Sequence, residues 1–323
     1  MNAVARPRTR RAAVRRRRLT ALVALAAVAA ALGAVVANAG GGGGGGAVTP
    51  PRPPAVVKVN LDGSELAHAK VKELSRPGAV EKVLTKIPAR RVEVAGKAKI
   101  TYAVDRGAAA SQLRHAVREG GGTVVVPERA VASTITVPLI PQTLQNDCEV
   151  ASLSMVLGYA GHQVGQLALQ GQVAQAKPLD PSSGPQGEEV WGDPALGFVG
   201  RADGGGPAGG FGVYQGPIRA LARVHGLTMT DLSGQPPAKV YASLLAGHPV
   251  LAWVALSAGP YATWTSPAGK SIKVNYGEHA VVLTGVEAGA VDLNDPLSGT
   301  RTSWSKPQFE EMWAGLGHRA LAA

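Results

Sequence analysis

A single cysteine, Cys148, occurs in 323 residues. With no second thiol an intramolecular disulfide is excluded, so the fold has to rest on packing. A chain of this length can bury a core without such staples, and 45% hydrophobic against 17% charged residues excludes a disordered composition. No internal repeat occurs. The glycine-rich stretch Gly204–Gly212 (GGGPAGGFG) contains no GK[ST] and follows no strand pattern, which excludes a phosphate-binding loop. His162, His225, His248 and His318 match no metal-ligand spacing, so neither a metal nor another cofactor is expected. Acidic residues are missing from Met1–Arg18, which holds eight arginines. Setting these aside takes the formal net charge from +11 to +3, a balance that gives no case for nucleic-acid binding.

The arginines precede Leu19–Ala37, an uncharged Ala/Leu/Val run, and then the small-residue triplet Ala37-Asn38-Ala39. A basic region, an apolar region and an A-x-A site together predict a secretory signal over residues 1–39. The apolar run is near the ~20 residues of a spanning helix, so an uncleaved signal anchor is the rival reading. In both cases the arginines hold the N-terminus inside and the remainder is expected outside, secreted or on the extracellular face. Gly40–Pro54 is glycine-rich and then proline-rich, the composition of a flexible tether stiffening into a polyproline spacer.

Residues 55–133 read as a small α/β segment with no evident chemistry. Strands are predicted at Ala55–Asn60, Arg91–Val94, Lys99–Val104 and Thr123–Pro127, and a helix at Ala108–Glu119. His68 and His115 fall on polar stretches expected to be helical and exposed. Placed between signal and main domain, the segment is a candidate prosegment or an accessory subdomain. The main domain is expected over residues 134–323. A short strand at Val137–Ile140 leads into a loop, and helices follow at Cys148–Tyr159, Tyr214–Gly226 and Lys239–Leu245. Pro178–Gly210 reads as loop. Strands come next at Pro249–Leu256, His279–Val286 and Val291–Leu293, the last two joined by the tight Glu287–Gly289 turn, and a final helix starts after Ser305. Helices first and strands after is the order of an α+β domain.

Cys148 stands where the first of these helices begins, and the positive end of a helix dipole favours a thiolate. Thiol chemistry also needs a proton shuttle, a group to orient it and donors for an oxyanion. His279 in GEHAVVLTG can shuttle the proton. Asp295 in LNDPLSG, sixteen residues on, falls at the same end of a hairpin and can turn the ring. Gln142, six residues before the cysteine, can offer a side-chain amide beside the Cys148 N–H, with Gln145 and Asn146 as nearby alternatives. Each residue also has a plainer reading: a buried small hydrophobe, a core histidine, a turn aspartate. Trp191, Trp253 and Trp313 read as packing residues, with Trp191 also placed to line a cleft.

Gln142-x5-Cys148 followed by AxxSMVLGYAG, then EHAVVLTG and NDP, resembles the bacteriocin-processing (double-glycine) peptidase-like family of papain-fold cysteine peptidases, in its secreted stand-alone branch. The resemblance covers roughly residues 134–323. It implies a papain-like α+β domain with its N-terminal helices packed on an antiparallel sheet. It further implies Cys148 as nucleophile, His279 as base, Asp295 as orienter and Gln142 as oxyanion donor, acting through an acyl-enzyme on a peptide or protein. A monomer is expected, with membrane contact only through an uncleaved N-terminal segment. One departure stands out: transporter-linked members have Cys-Gly, whereas this chain has Cys148-Glu149, a carboxyl that disfavours the thiolate. No ATP-binding or multi-span segment is present, which excludes a bacteriocin exporter. An acyl- or peptidyl-transferase, a cell-wall amidase, or a non-catalytic binding module are the alternatives on the same fold.

Overall fold

The computed structural model describes residues 55–204 and 209–323, which belong to one compact unit. The expected signal or anchor (1–39) and tether (40–54) lie outside the described residues. None of the described helices is long and apolar enough to cross a membrane.

The chain opens with a hairpin of β1 (Val56–Leu61) and β2 (Ser64–Lys70). Its Asp62-Gly63 turn has positive φ at both residues, the conformation that matches strand twist in a two-residue loop. Helices α1 (Val71–Leu74) and α2 (Ala79–Leu84) lead to β3 (Arg90–Ala95) and β4 (Ala98–Val104). Asp105 then caps α3 (Arg106–Arg118) by accepting the Ala108 N–H at 2.8 Å. β5 (Gly122–Val125) returns parallel to β1, and β6 (Glu128–Ile135) follows. β1, β2 and β5 with the three helices enclose a small core around Val57, Val59, Leu113 and Val124.

Two features of this region differ from expectation. β2 and β6 were not foreseen, and His68 lies on β2 rather than on a helix, although it is exposed. Val137–Ile140 is not a strand; pairing ends at Ile135. The division expected between residues 133 and 134 falls inside β6.

Helix α4 (Cys148–Ala160) begins the second part and is buried on every side from Cys148 to Gly158, not along one face. Such a helix is a central element, and each fully buried aliphatic side chain stabilises it by ~1.5–3 kcal/mol. Gly161, at φ 93°, ends it in the left-handed conformation. After α5 (Gln166–Gln170) come the short strands β7 (Ser182–Ser183), β8 (Glu189–Val190), β9 (Val199–Gly200) and β10 (Gly210–Gly212). Then follow α6 (Gln215–Val224), β11 (Thr230–Asp231), α7 (Pro237–Leu245) and β12 (Val250–Ala255). The hairpin β13 (Tyr261–Thr265) and β14 (Ser271–Asn275) precedes β15 (Glu278–Val286), β16 (Ala290–Asp295) and β17 (Thr300–Ser305). α8 (Lys306–Ala314), capped by Ser305, and β18 (Ala320–Ala322) close the chain.

β15 is the hub of the main sheet. β12 pairs antiparallel with Glu278–Leu283, and β6 takes over the same edge at Gly285 and Val286. β16 occupies the other edge. The sheet runs β11-β18-β12-β15-β6-β4-β3, so three strands of the first segment extend it. The hydroxyl of Ser152 on α4 donates to the Ala280 carbonyl at 3.1 Å, fixing the helix against β15. The described part of the stretch expected to be loop is pinned at Trp191, which is 1% exposed and lies 5.2 Å from Trp264 on β13, ring centre to ring centre. It packs, as do Trp253 and Trp313, each of which donates its indole N–H to a backbone carbonyl.

Candidate active site

Helix α4 delivers the sulfur. Cys148 is its first residue, so helix geometry leaves its N–H without an intrahelical partner. The side chain is 6% exposed and lines a cavity of about 260 Å³. His279, the second residue of β15, lines the same cavity. Its Nε2 is paired with Asp295 Oδ1 at 2.7 Å, which leaves Nδ1 as the ring nitrogen free for a reacting group. Asp295 is the last residue of β16, and the β15–β16 register brings it level with Val281, two residues past His279 and on the same face. Although desolvation pushes its carboxyl up, the hydrogen bond and charge of His279 prevail and hold it down at about 2. The Leu297 N–H bonds the same oxygen, Asp295 Oδ1, at 2.9 Å and helps fix the carboxylate.

Gln142 also lines the cavity, but its amide is turned to its own loop. Nε2 donates to the carbonyls of Leu144 and Gln145, both at 3.0 Å, while Oε1 is buried without a partner. In this arrangement neither amide hydrogen is presented to the cleft. Gln145 and Asn146 are lining residues as well, and the Asn146 side chain donates to the carbonyls of Arg201 and Gly204. The same loop buries Asp147, whose Oδ1 accepts the Leu144 N–H at 3.2 Å.

The sulfur's surroundings oppose the expectation that a helix start favours the thiolate. Burial pushes the thiol up well above its ordinary range, and the nearby charges of Glu149 and Glu278 push it further. The first turn of the helix carries Glu149 itself, which offsets the positive end of the dipole. Glu149 is fully buried, and desolvation raises its carboxyl to about 7. Its Oε1 accepts the Val213 N–H at 2.6 Å, and its Oε2 lies 3.4 Å from the Cys148 sulfur.

Sequence reasoning did not find the rest of the cleft. Phe211, Leu256, Tyr276, Glu278 and Leu297 add to its walls, drawn from β10, the residue after β12, the turn into β15, the first residue of β15 and the segment after β16. Only Glu278 carried a signal, since it adjoins His279 in GEHAV. Among the described residues, the one group able to offer several metal-type ligands is Cys148, Glu149 and Glu278.

A thiol at the start of a buried helix and a histidine–aspartate pair on an antiparallel sheet define an α+β domain of the papain-like class. The Peptidase_C39 like family matches over residues 134–321, and the chain belongs to it. It is similar to YvpB of Bacillus subtilis (strain 168), a protein of uncharacterised function, at 40% identity over 184 residues, covering 55% of this chain and 69% of that protein. Among solved structures it is similar to a candidate C39-like peptidase from Bacillus anthracis, at 30% identity with a TM-score of 0.50, covering 58% of this chain and 94% of the other. A more distant likeness, 16% identical with a TM-score of 0.34, is to a double-glycine motif protease from an AMS/PCAT transporter in complex with its leader peptide; it covers 58% of this chain and 91% of that one.

Proposed function

We propose that this protein is a cysteine peptidase that hydrolyses peptide bonds through an acyl-enzyme, with Cys148 as nucleophile, His279 as base and Asp295 as its orienting partner. The observation that carries this reading is that His279, bonded to Asp295 at 2.7 Å, lines the cavity that Cys148 also lines. With Nε2 engaged by Asp295, Nδ1 takes the thiol proton as the sulfur attacks the peptide carbonyl. The proton then passes to the departing amine, leaving a thioester that water hydrolyses. The unpaired Cys148 N–H at the helix start is the oxyanion donor at hand, and such a donor contributes ~3 kcal/mol to transition-state stabilisation. Gln142 becomes a second donor when it exchanges its two loop carbonyls for the substrate oxygen.

The substrate is a peptide or protein chain, as the family suggests, and the enzyme acts as a monomer. Secretion is part of the proposal and rests on the basic and apolar pattern of residues 1–39. The test is the Cys148→Ala variant against a fluorogenic peptide library and a thiol-directed peptide probe. Hydrolysis is expected to fall by about three orders of magnitude or more, and labelling to vanish. Retention of both by the variant would sink the assignment.

A further inference from the structure

Glu149 and Glu278 are two carboxyls that the reaction above does not use, yet both face the sulfur. Glu149 joins three things: the thiol at 3.4 Å, the Val213 N–H at 2.6 Å, and through it the cleft wall that includes Gly210 and Phe211. Glu278 immediately precedes His279 on β15. Both residues line the cavity that Cys148 lines. The sulfur and one oxygen of each carboxyl lie within 4.8 Å of one another. Glu278 Oε1 is buried without a hydrogen-bond partner. Gly212 closes the gap from the other side: a Cβ there would collide with Glu149 Oε1 and come within 3.3 Å of Glu278 Oε2.

Two carboxylates at this spacing in a desolvated space cannot both be ionised. The charged groups around them do not relieve the conflict. Asp147 adds negative charge beside Glu149, and Arg319 alone favours ionisation of Glu278. Tyr214, packed nearby, is held neutral by burial, which pushes its phenol up to about 12. His279 is engaged with Asp295.

We propose that Glu149 and Glu278 share a single proton, and that the negative charge this pair retains is a brake on Cys148, holding it as a thiol hydrogen-bonded to Glu149. When the pair takes a second proton from solvent the brake is released, and the thiol proton passes from Sγ to Nδ1 of His279, leaving thiolate and imidazolium. Glu149 and Glu278 are thus positioning residues for the charge on the nucleophile, a role that rests on the proposed use of Cys148. The enzyme is favoured by mildly acidic surroundings.

Because Cys148 is the sole cysteine, alkylation by iodoacetamide read by intact mass reports this thiol alone. The rate is measured from pH 5 to 10 for the full chain, Glu149→Gln and Glu278→Gln, alongside hydrolysis of a fluorogenic peptide. Glutamine at 149 keeps an oxygen for the Val213 N–H, so the cleft wall is retained. Once the pair gives up its shared proton it carries two charges and each variant one, so each variant is expected to move the alkylation midpoint, which burial holds above the ordinary thiol range, down by about one pH unit or more and to raise the rate on the alkaline side about tenfold. Should Glu149→Gln fail to fold, Glu278→Gln, whose Oε1 holds no hydrogen bond, decides alone. Midpoints that stay put or rise overturn the brake. A midpoint that falls in a protein with no hydrolysis overturns the peptidase reading and leaves the brake standing. Hydrolysis lost in Cys148→Ala with an unmoved midpoint does the reverse.

Discussion

At the scale of single residues, Asp295 and Glu149 pull the protein's pH response in opposite directions. Asp295 is held at about 2, below the ~3.9 of an unfolded aspartate, so its contribution to stability is present above pH ~4 and is lost as pH falls through about 2. Glu149 at about 7 lies above the ~4.3 of an unfolded glutamate; the folded state therefore keeps a proton that the unfolded chain releases, and stability declines as pH rises from ~4.5 through about 7. Urea midpoints from pH 2 to 8 are expected to peak on the acid side of neutrality, and Glu149→Gln to flatten the decline above the peak. A wild-type midpoint constant between pH 5 and 8 would contradict the burial of this carboxyl. Asp295→Asn is expected to reduce kcat/KM by roughly 10²–10⁴, because an amide orients the ring but stabilises the imidazolium poorly. Steady-state kinetics with circular dichroism as a control for folding would separate this from unfolding.

At the scale of elements, two contacts hold the site together: α4 against β15 and β10 against the first turn of α4. The second depends on glycine. Gly212 has φ 121°, where a side chain is strained, and a Cβ would run into Glu149. Gly212→Ala is expected to destabilise by at least ~1–3 kcal/mol and to displace the Phe211 wall, seen as a lower urea midpoint together with a raised KM. In α4, Leu153→Ala leaves a cavity in a helix packed on all sides and is expected to cost ~2–5 kcal/mol. The elements bearing Cys148, His279 and Asp295 were legible in the sequence: the helix from Cys148, its stop at Gly161, and the hairpin holding His279 and Asp295. Their signals are local, in a glycine stop and an apolar strand with a tight turn. β6, β17 and β18 were not legible, because strands with few apolar residues or only three residues exist through the partners they pair with.

At the scale of the whole molecule, residues 55–133 do not stand apart from the sheet. β6 pairs with β15 at Gly285 and Val286, and β3 and β4 continue the sheet from there. Ala98 and Ile100 of β4 join the core that also contains Cys148. The residues lining the cleft all come from the chain between Gln142 and Leu297. Removing residues 55–133 is therefore expected to lower the urea midpoint and leave the rate of hydrolysis per folded molecule without a gain. A several-fold rise in that rate on removal would instead mark the segment as an inhibitor of the cleft.

The sequence by itself determined which side chains could do chemistry and the order of elements bearing them, because a lone thiol, helix stops and hairpin periodicity are written in neighbouring residues. Only the tertiary structure decided what surrounds that thiol. Its neighbours Glu149, Glu278 and the Val213 N–H come from segments 64 and more residues apart. Their effect arises from shared desolvation, a property of the assembled core that no stretch of chain possesses alone.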